Sequence, residues 1–284
     1  MTPHFTGLDA AYQLHFYLCF KTHYLRPMLA TKEVNSMVRG TLDAVCLREQ
    51  YHLLETEVTQ DHLRLLVSLK PKQTVSRAVK MLKGNIDQQF RVTFQHLLES
   101  NNSRTLWARG YFARSSGQVN LKRARAYVDT QVSHHGYKGE RTKALKYRNP
   151  TFKSPAFAFD HSFCMLDYHL VLATQNRIAL FDEAVAQSLF DYVIAIGEKH
   201  NFAVDRIGLL PDHVHLVIEA TPNVSVEQCV LAILENTRHW ITKHYSGVLK
   251  QTGAWGCLAT IFLCGNGWGI LDRAGEAFSS RVLG

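Results

Sequence analysis

Asp61-His62-Leu63-Arg64-Leu65-Leu66-Val67 occurs a second time, 151 residues on, as Asp212-His213-Val214-His215-Leu216-Val217-Ile218. The offset holds downstream, where Pro71 falls on Pro222 and Asn85 on Asn236. A constant offset marks a duplicated unit rather than a chance match. Both copies read as strands, so the first and third polar residues project from one face. The copies differ at one chemically decisive position: the second carries His-x-His, the first His-x-Arg.

Working outward, the same order of elements surrounds each copy. Leu14–Phe20 suits a buried strand, and 31–51 is amphipathic at helical spacing through Val34, Val38, Leu42 and Val45. Strands follow at Tyr51–Val58 and His62–Leu69, then a helix over Val75–Leu82 with Thr74 as its N-cap. The second copy gives strand Tyr168–Thr174, helix Asp182–His200, strands Val204–Leu210 and His213–Glu219, and helix Ser225–Tyr245. This β-α-β-β-α order predicts an α+β fold of two ferredoxin-like antiparallel-sheet modules forming a pseudo-dimer.

In the first copy, Trp107–Phe112 is expected to turn into a strand, and a basic helix is expected from about Val119 to Val132. The expected domains are a first module over 1–132, a basic connector over 133–160, a second module over 161–249, and an atypical tail over 250–284. Seven of the 17 glycines lie in the last 32 residues, which match nothing in the first copy.

Composition bounds the function. The chain of 284 residues is 46% hydrophobic and 20% charged, ordinary for a globular protein with two cores. Residues 1–20 lack a basic leader before an apolar run, so no signal peptide is expected, and no stretch approaches the length of a membrane span. Six scattered cysteines without a C-x-x-C pair point to a reducing, cytoplasmic setting and away from a disulfide framework. The net charge of +8 is concentrated, because residues 101–150 hold eleven Lys/Arg against two Asp/Glu. Such a segment is the footprint of a polyanion partner, or else a solvated surface.

Two imidazoles side by side at His213 and His215 can bind one divalent ion, although an isolated His-x-His is more often a pair of ordinary polar residues. On the basic helix, Tyr127 and Gln131 lie one turn apart. A tyrosine hydroxyl can attack a phosphodiester, and a neighbouring amide oxygen can serve as a further metal ligand. Alone, Y-x-x-x-Q is a weak signal.

Together these blocks resemble the single-tyrosine HUH transposases: the TnpA-like enzymes of small insertion sequences and the REP-associated tyrosine transposases. The resemblance rests on Leu14-His15-Phe16-Tyr17 with Lys21 and Arg26-Pro27, and on the two D-H-x-[HR] segments. It also rests on Val75-Ser76-Arg77-Ala78-Val79-Lys80-Met81-Leu82-Lys83-Gly84, Leu106–Phe112, and Tyr127-Val128-Asp129-Thr130-Gln131. It is specific over about 12–131, moderate over 166–245, and does not reach the tail. It implies cutting and rejoining of single-stranded, hairpin-containing DNA. It further implies Tyr127 as nucleophile forming a 5′-phosphotyrosine, Mg²⁺ or Mn²⁺ on His213, His215 and Gln131, and dimeric action.

The chain departs from that pattern. Arg64 beside His62 cannot serve a cation, because guanidinium stays protonated; it is suited instead to a phosphate. No tyrosine follows Tyr245, so the second copy has no nucleophile of its own. One composite site within a single-chain pseudo-dimer is the expectation, a homodimer being the other arrangement. DNA phosphates are expected at Arg109, Arg114, Lys122, Arg123 and Arg125, with Lys80, Lys83 and Arg64. Two competing classes are a DNA-binding protein derived from such an enzyme but catalytically silent, and an RNA-binding sheet module.

Overall fold

In the computed structural model of the chain, residues 4–5, 11–116, 145–153, 157–159, 162–174, 183–244, 246 and 262–265 are described. They form an α+β protein with two mainly antiparallel sheets, each in its own compact unit. The units are not consecutive stretches. One takes the described residues of 14–116 and 156–166; the other takes those of 1–13, 117–155 and 167–284.

The chain opens with β1 (His4–Phe5), β2 (Ala11–Gln13), β3 (His15–Lys21) and α1 (Lys32–Glu49). It continues through β4 (His52–Val58), β5 (His62–Ser68), α2 (Val75–Ser100) and β6 (Phe112–Ser116). Then come β7 (Leu145–Arg148), β8 (Phe157–Phe159), β9 (Ser162–Met165) and β10 (Asp167–Ala173). The last described elements are α3 (Glu183–His200), β11 (Phe202–Leu210), β12 (His213–Ala220), α4 (Val226–His244) and β13 (Phe262–Gly265).

Local chemistry explains the helices. Thr31 and Thr74 cap α1 and α2, each side-chain oxygen accepting a backbone N–H at 3.3 Å, from Val34 and Arg77. Gln50 ends α1 in the left-handed region at φ 59°. The apolar stripe Val34, Val38, Leu42 and Val45 of α1, with Ala78, Val79, Leu82 and Ile86 of α2, is buried.

The first unit's sheet runs β4-β5-β3-β6-β9-β8 and the second unit's runs β1-β2-β13-β10-β12-β11-β7. Their centres repeat: β4-β5-β3-β6 in one stands where β11-β12-β10-β13 stands in the other. Even the register shift recurs, between Leu53 and Glu55 on β4 and between Val204 and Arg206 on β11, the same 151-residue offset.

The repeat extends beyond what the sequence reading expected. In the tail, which matches nothing in the first copy by sequence, β13 pairs with β10 as β6 pairs with β3. In the stretch expected as connector, β7 pairs antiparallel with β11, and β8 pairs with β9. The hairpin β1–β2, which precedes the first module's leading strand, belongs to the other unit's sheet, with β2 parallel to β13. The hairpin β8–β9, which precedes the second module's leading strand, belongs to the first unit's sheet, with β9 parallel to β6. The two modules thus exchange their leading hairpins. Among the described residues, no helix is long and apolar enough to cross a membrane.

Candidate active site

β12 carries His213 and His215 two residues apart, so both rings leave the same face of the strand, with centroids 5.0 Å apart. The turn before β12 is tied to the end of β10. Thr174 donates to the Asp212 carbonyl through its backbone N–H at 2.8 Å and its hydroxyl at 3.0 Å. That turn sets the Asp212 carboxylate 2.6 Å from Nδ1 of His213. In a neutral ring such a contact keeps the proton on Nδ1 and the lone pair on Nε2, the tautomer suited to ligation.

A third histidine joins the pair. His169 of β10 places its Nε2 3.1 Å from Nδ1 of His215, the rings 5.3 Å apart. Burial pulls the His169 imidazole down to about 4, so it is neutral near neutral pH. Both His213 and His215 are only 2% exposed, and β12 is buried along its whole length, on both faces.

The equivalent place in the other unit is differently built. The Asp61 carboxylate lies 2.9 Å from Nδ1 of His62, repeating the Asp212–His213 contact. This hydrogen bond is the largest cause holding the Asp61 carboxyl below its usual range. Arg64, opposite Cys19 in the ladder, donates instead to Glu57 at 2.8 Å. A guanidinium has no lone pair for a metal. β5 alternates between buried and half-buried residues, so this polar face is not closed.

Of the other sequence-predicted residues, Tyr127, Gln131, Lys122, Arg123 and Arg125 lie outside the described residues. Arg109, Arg114 and Lys80 are exposed. Lys83 is not: its ammonium donates to the carbonyls of Ala108 at 3.0 Å and Gly110 at 2.6 Å, beneath the segment that leads into β6. The same segment is held by the Trp107 indole donating to the Lys83 carbonyl at 3.1 Å and by the Leu106 N–H donating to Asp87 at 2.8 Å. Lys83 therefore positions a loop. Among the described residues, no group of three or more His, Cys, Asp or Glu is gathered as a metal ion would need.

Sequence reasoning missed His169. The available signal was a lone histidine in the strand Tyr168–Thr174, at the position where the first module has Tyr17.

Comparison with known proteins fits this repeated architecture. The family model described as "Transposase IS200 like" matches residues 10–131 and 162–260. The chain belongs to this family of transposases. It is 26% identical over 125 residues to the ISDra2 transposase TnpA of Deinococcus radiodurans, covering 44% of this chain and 89% of that one. It is 28% identical over 100 residues to the transposase for insertion sequence element IS200 of Salmonella typhimurium, covering 35% of this chain and 65% of that one. Among solved structures, one assigned to a transposase of Deinococcus radiodurans R1 is 23% identical. It has a TM-score of 0.35 and covers 45% of this chain and 95% of that one. A REP-associated tyrosine transposase bound to a REP hairpin is 14% identical, with a TM-score of 0.28 and coverage of 44% and 70%.

Proposed function

We propose that this chain nicks and rejoins single-stranded DNA, of the hairpin-forming kind, at one composite site made of Tyr127 from the first module and His213 and His215 from the second. The Tyr127 hydroxyl oxygen attacks phosphorus, the phosphotyrosine forms on the 5′ side, and the 3′ oxygen leaves as a hydroxyl, taking up a proton. Attack of a 3′-hydroxyl on the phosphotyrosine reverses the step and joins strands.

The observation that carries this reading is the position of β7. Leu145 follows Gln131 by 14 residues, and β7 is hydrogen-bonded to β11, which in turn pairs Gly208 with His215. A stretch of that length reaches at most about 50 Å. The sequence bearing Tyr127 thus joins β6 of one sheet to β7 of the sheet that carries the intact histidine pair, and it is long enough for Tyr127 to serve that pair.

The donor chemistry suits a divalent ion such as Mg²⁺ or Mn²⁺. Asp212 holds the His213 tautomer in which Nε2 can ligate, and His215 would be the second nitrogen ligand, with Gln131 as an oxygen ligand. When bound, the ion would polarise the scissile phosphate. Arg64 excludes the first module from that role.

A second reading, a DNA-binding protein that no longer cuts, is favoured by one observation: both metal-candidate histidines are buried. The test is direct. The protein is mixed with Mg²⁺ or Mn²⁺ and hairpin-bearing single-stranded DNA taken from beside its own gene. A denaturation-resistant adduct, lost in Tyr127→Phe, supports the enzyme. DNA binding without any adduct supports the silent binder.

A further inference from the structure

The unit that lost its histidine pair keeps an open sheet face with a different chemistry. Alternation along β3, β5, β6 and β9 buries Leu18, Leu65, Ala113 and Cys164. It leaves Tyr17, Arg64, Phe112, Arg114 and Phe163 on the opposite side, half-buried or exposed. Three of these are aromatic and lie side by side across three neighbouring strands. The Tyr17 and Phe112 rings are 6.0 Å apart at 69°, and those of Phe112 and Phe163 are 5.8 Å apart and nearly parallel at 12°. Phe163 is 40% exposed. Two guanidiniums flank the row: Arg114 stands opposite Tyr17, and Arg64, paired with the Glu57 carboxylate at 2.8 Å, stands opposite Cys19.

The fold does not require this row. In the other unit, His169 stands where Tyr17 does, and Leu263 and Gly265 stand where Phe112 and Arg114 do. Solvent-facing rings beside fixed positive charge suit a ligand that is both flat and anionic. Single-stranded nucleic acid is the polymer that presents bases and phosphates together, and stacking on aromatic side chains tolerates any base sequence. Sheets elsewhere hold two or three unpaired bases in this way.

We propose that this face binds a single DNA strand by stacking bases on Tyr17, Phe112 and Phe163, with Arg114 at a phosphate, and does not cut it. The inference rests on DNA being this chain's substrate. The degenerate half then has a role of its own, holding a strand while the other half carries the chemistry.

The experiment uses the full-length chain in EDTA, so that cutting does not intervene, and a single-stranded oligonucleotide bearing 2-aminopurine. Stacking on the rings should quench its fluorescence. Phe163→Ala should remove the quenching and weaken binding by about tenfold, and Phe163→Trp should restore both. Arg114→Gln should reduce the log–log salt slope by about 0.7. Unquenched wild-type complex overturns the proposal, as do unchanged quenching in Phe163→Ala and an unchanged slope in Arg114→Gln. So does clearly tighter binding of an RNA of the same sequence. If the quenching behaves as expected but no adduct forms with Mg²⁺, the catalytic reading fails and this one stands.

Discussion

Nδ1 of His213 lies 2.6 Å from the Asp212 carboxylate, and the pair is repeated by His62 and Asp61 at 2.9 Å. The carboxylate–imidazole device therefore survives in both modules, while the partner histidine survives in one. Asp212→Asn keeps the shape and removes the charge that sets the tautomer. It should lower metal-dependent cleavage by about 10- to 100-fold. Asp61→Asn should leave cleavage within about twofold of wild type, since a variant that disturbs no ligand has little to change. Equal losses at the two aspartates, measured as initial adduct rates, would contradict one-sided chemistry.

Whether one chain supplies the whole site is settled by mixing. Tyr127→Phe and the double variant His213→Ala/His215→Ala should each be inactive, and His62→Ala should be close to wild type. Combined, the two inactive proteins should stay inactive if Tyr127 serves its own chain. Recovery of adduct on mixing, with a two-chain mass in solution, would show that tyrosines are exchanged between chains.

The basic residues divide into two kinds. Arg109 and Lys80 are exposed, so charge-removing substitutions there should weaken DNA binding and flatten its salt dependence by about 0.7 per lost contact on single strands. Lys83→Met should leave that slope unchanged and lower the melting temperature instead, because it removes the ammonium under the Ala108–Gly110 carbonyls. A changed slope in Lys83→Met would make Lys83 a DNA contact after all.

Lys83 should also titrate early. Burial pulls its ammonium down to about 8, against the opposing pull of Asp87. The folded pKa lies below the unfolded one, so between about 8 and the ordinary value of 10.5 the unfolded chain holds more protons at this site. This group's contribution to stability therefore rises with pH across that window; below it, the folded state bears the cost of a buried charge. Lysine-resolved NMR should find a midpoint near 8 for Lys83, and Lys83→Met should lose that rise. A midpoint at the ordinary lysine value would contradict it.

Periodicity was enough to read the central elements of both modules. α1 and α2 announce themselves through apolar stripes and threonine caps, and β5 and β12 through alternation beside a shared motif. The exchanged hairpins were not legible, because β1, β2, β8 and β9 have only two to four residues each, too few for any period to stand out. β13 was hidden for the same reason inside a glycine-rich context. That Lys83 holds two carbonyls was not legible, because a sequence does not show which carbonyls will lie above a helix. The aromatic row was illegible because Tyr17, Phe112 and Phe163 meet only across strands that are distant in the chain.

The hairpin exchange has a consequence for how the protein comes off the ribosome. The first module's β3 to β6 are complete once Ser116 is made, yet β9, the strand that pairs with β6, ends at Met165. At common translation speeds the β6 edge waits for about 3 to 10 s. During that interval, a neighbouring nascent chain on the same message can offer the same hairpin. Having both modules on one polypeptide keeps the correct hairpin at high local concentration when it emerges, which biases pairing toward the chain's own copy.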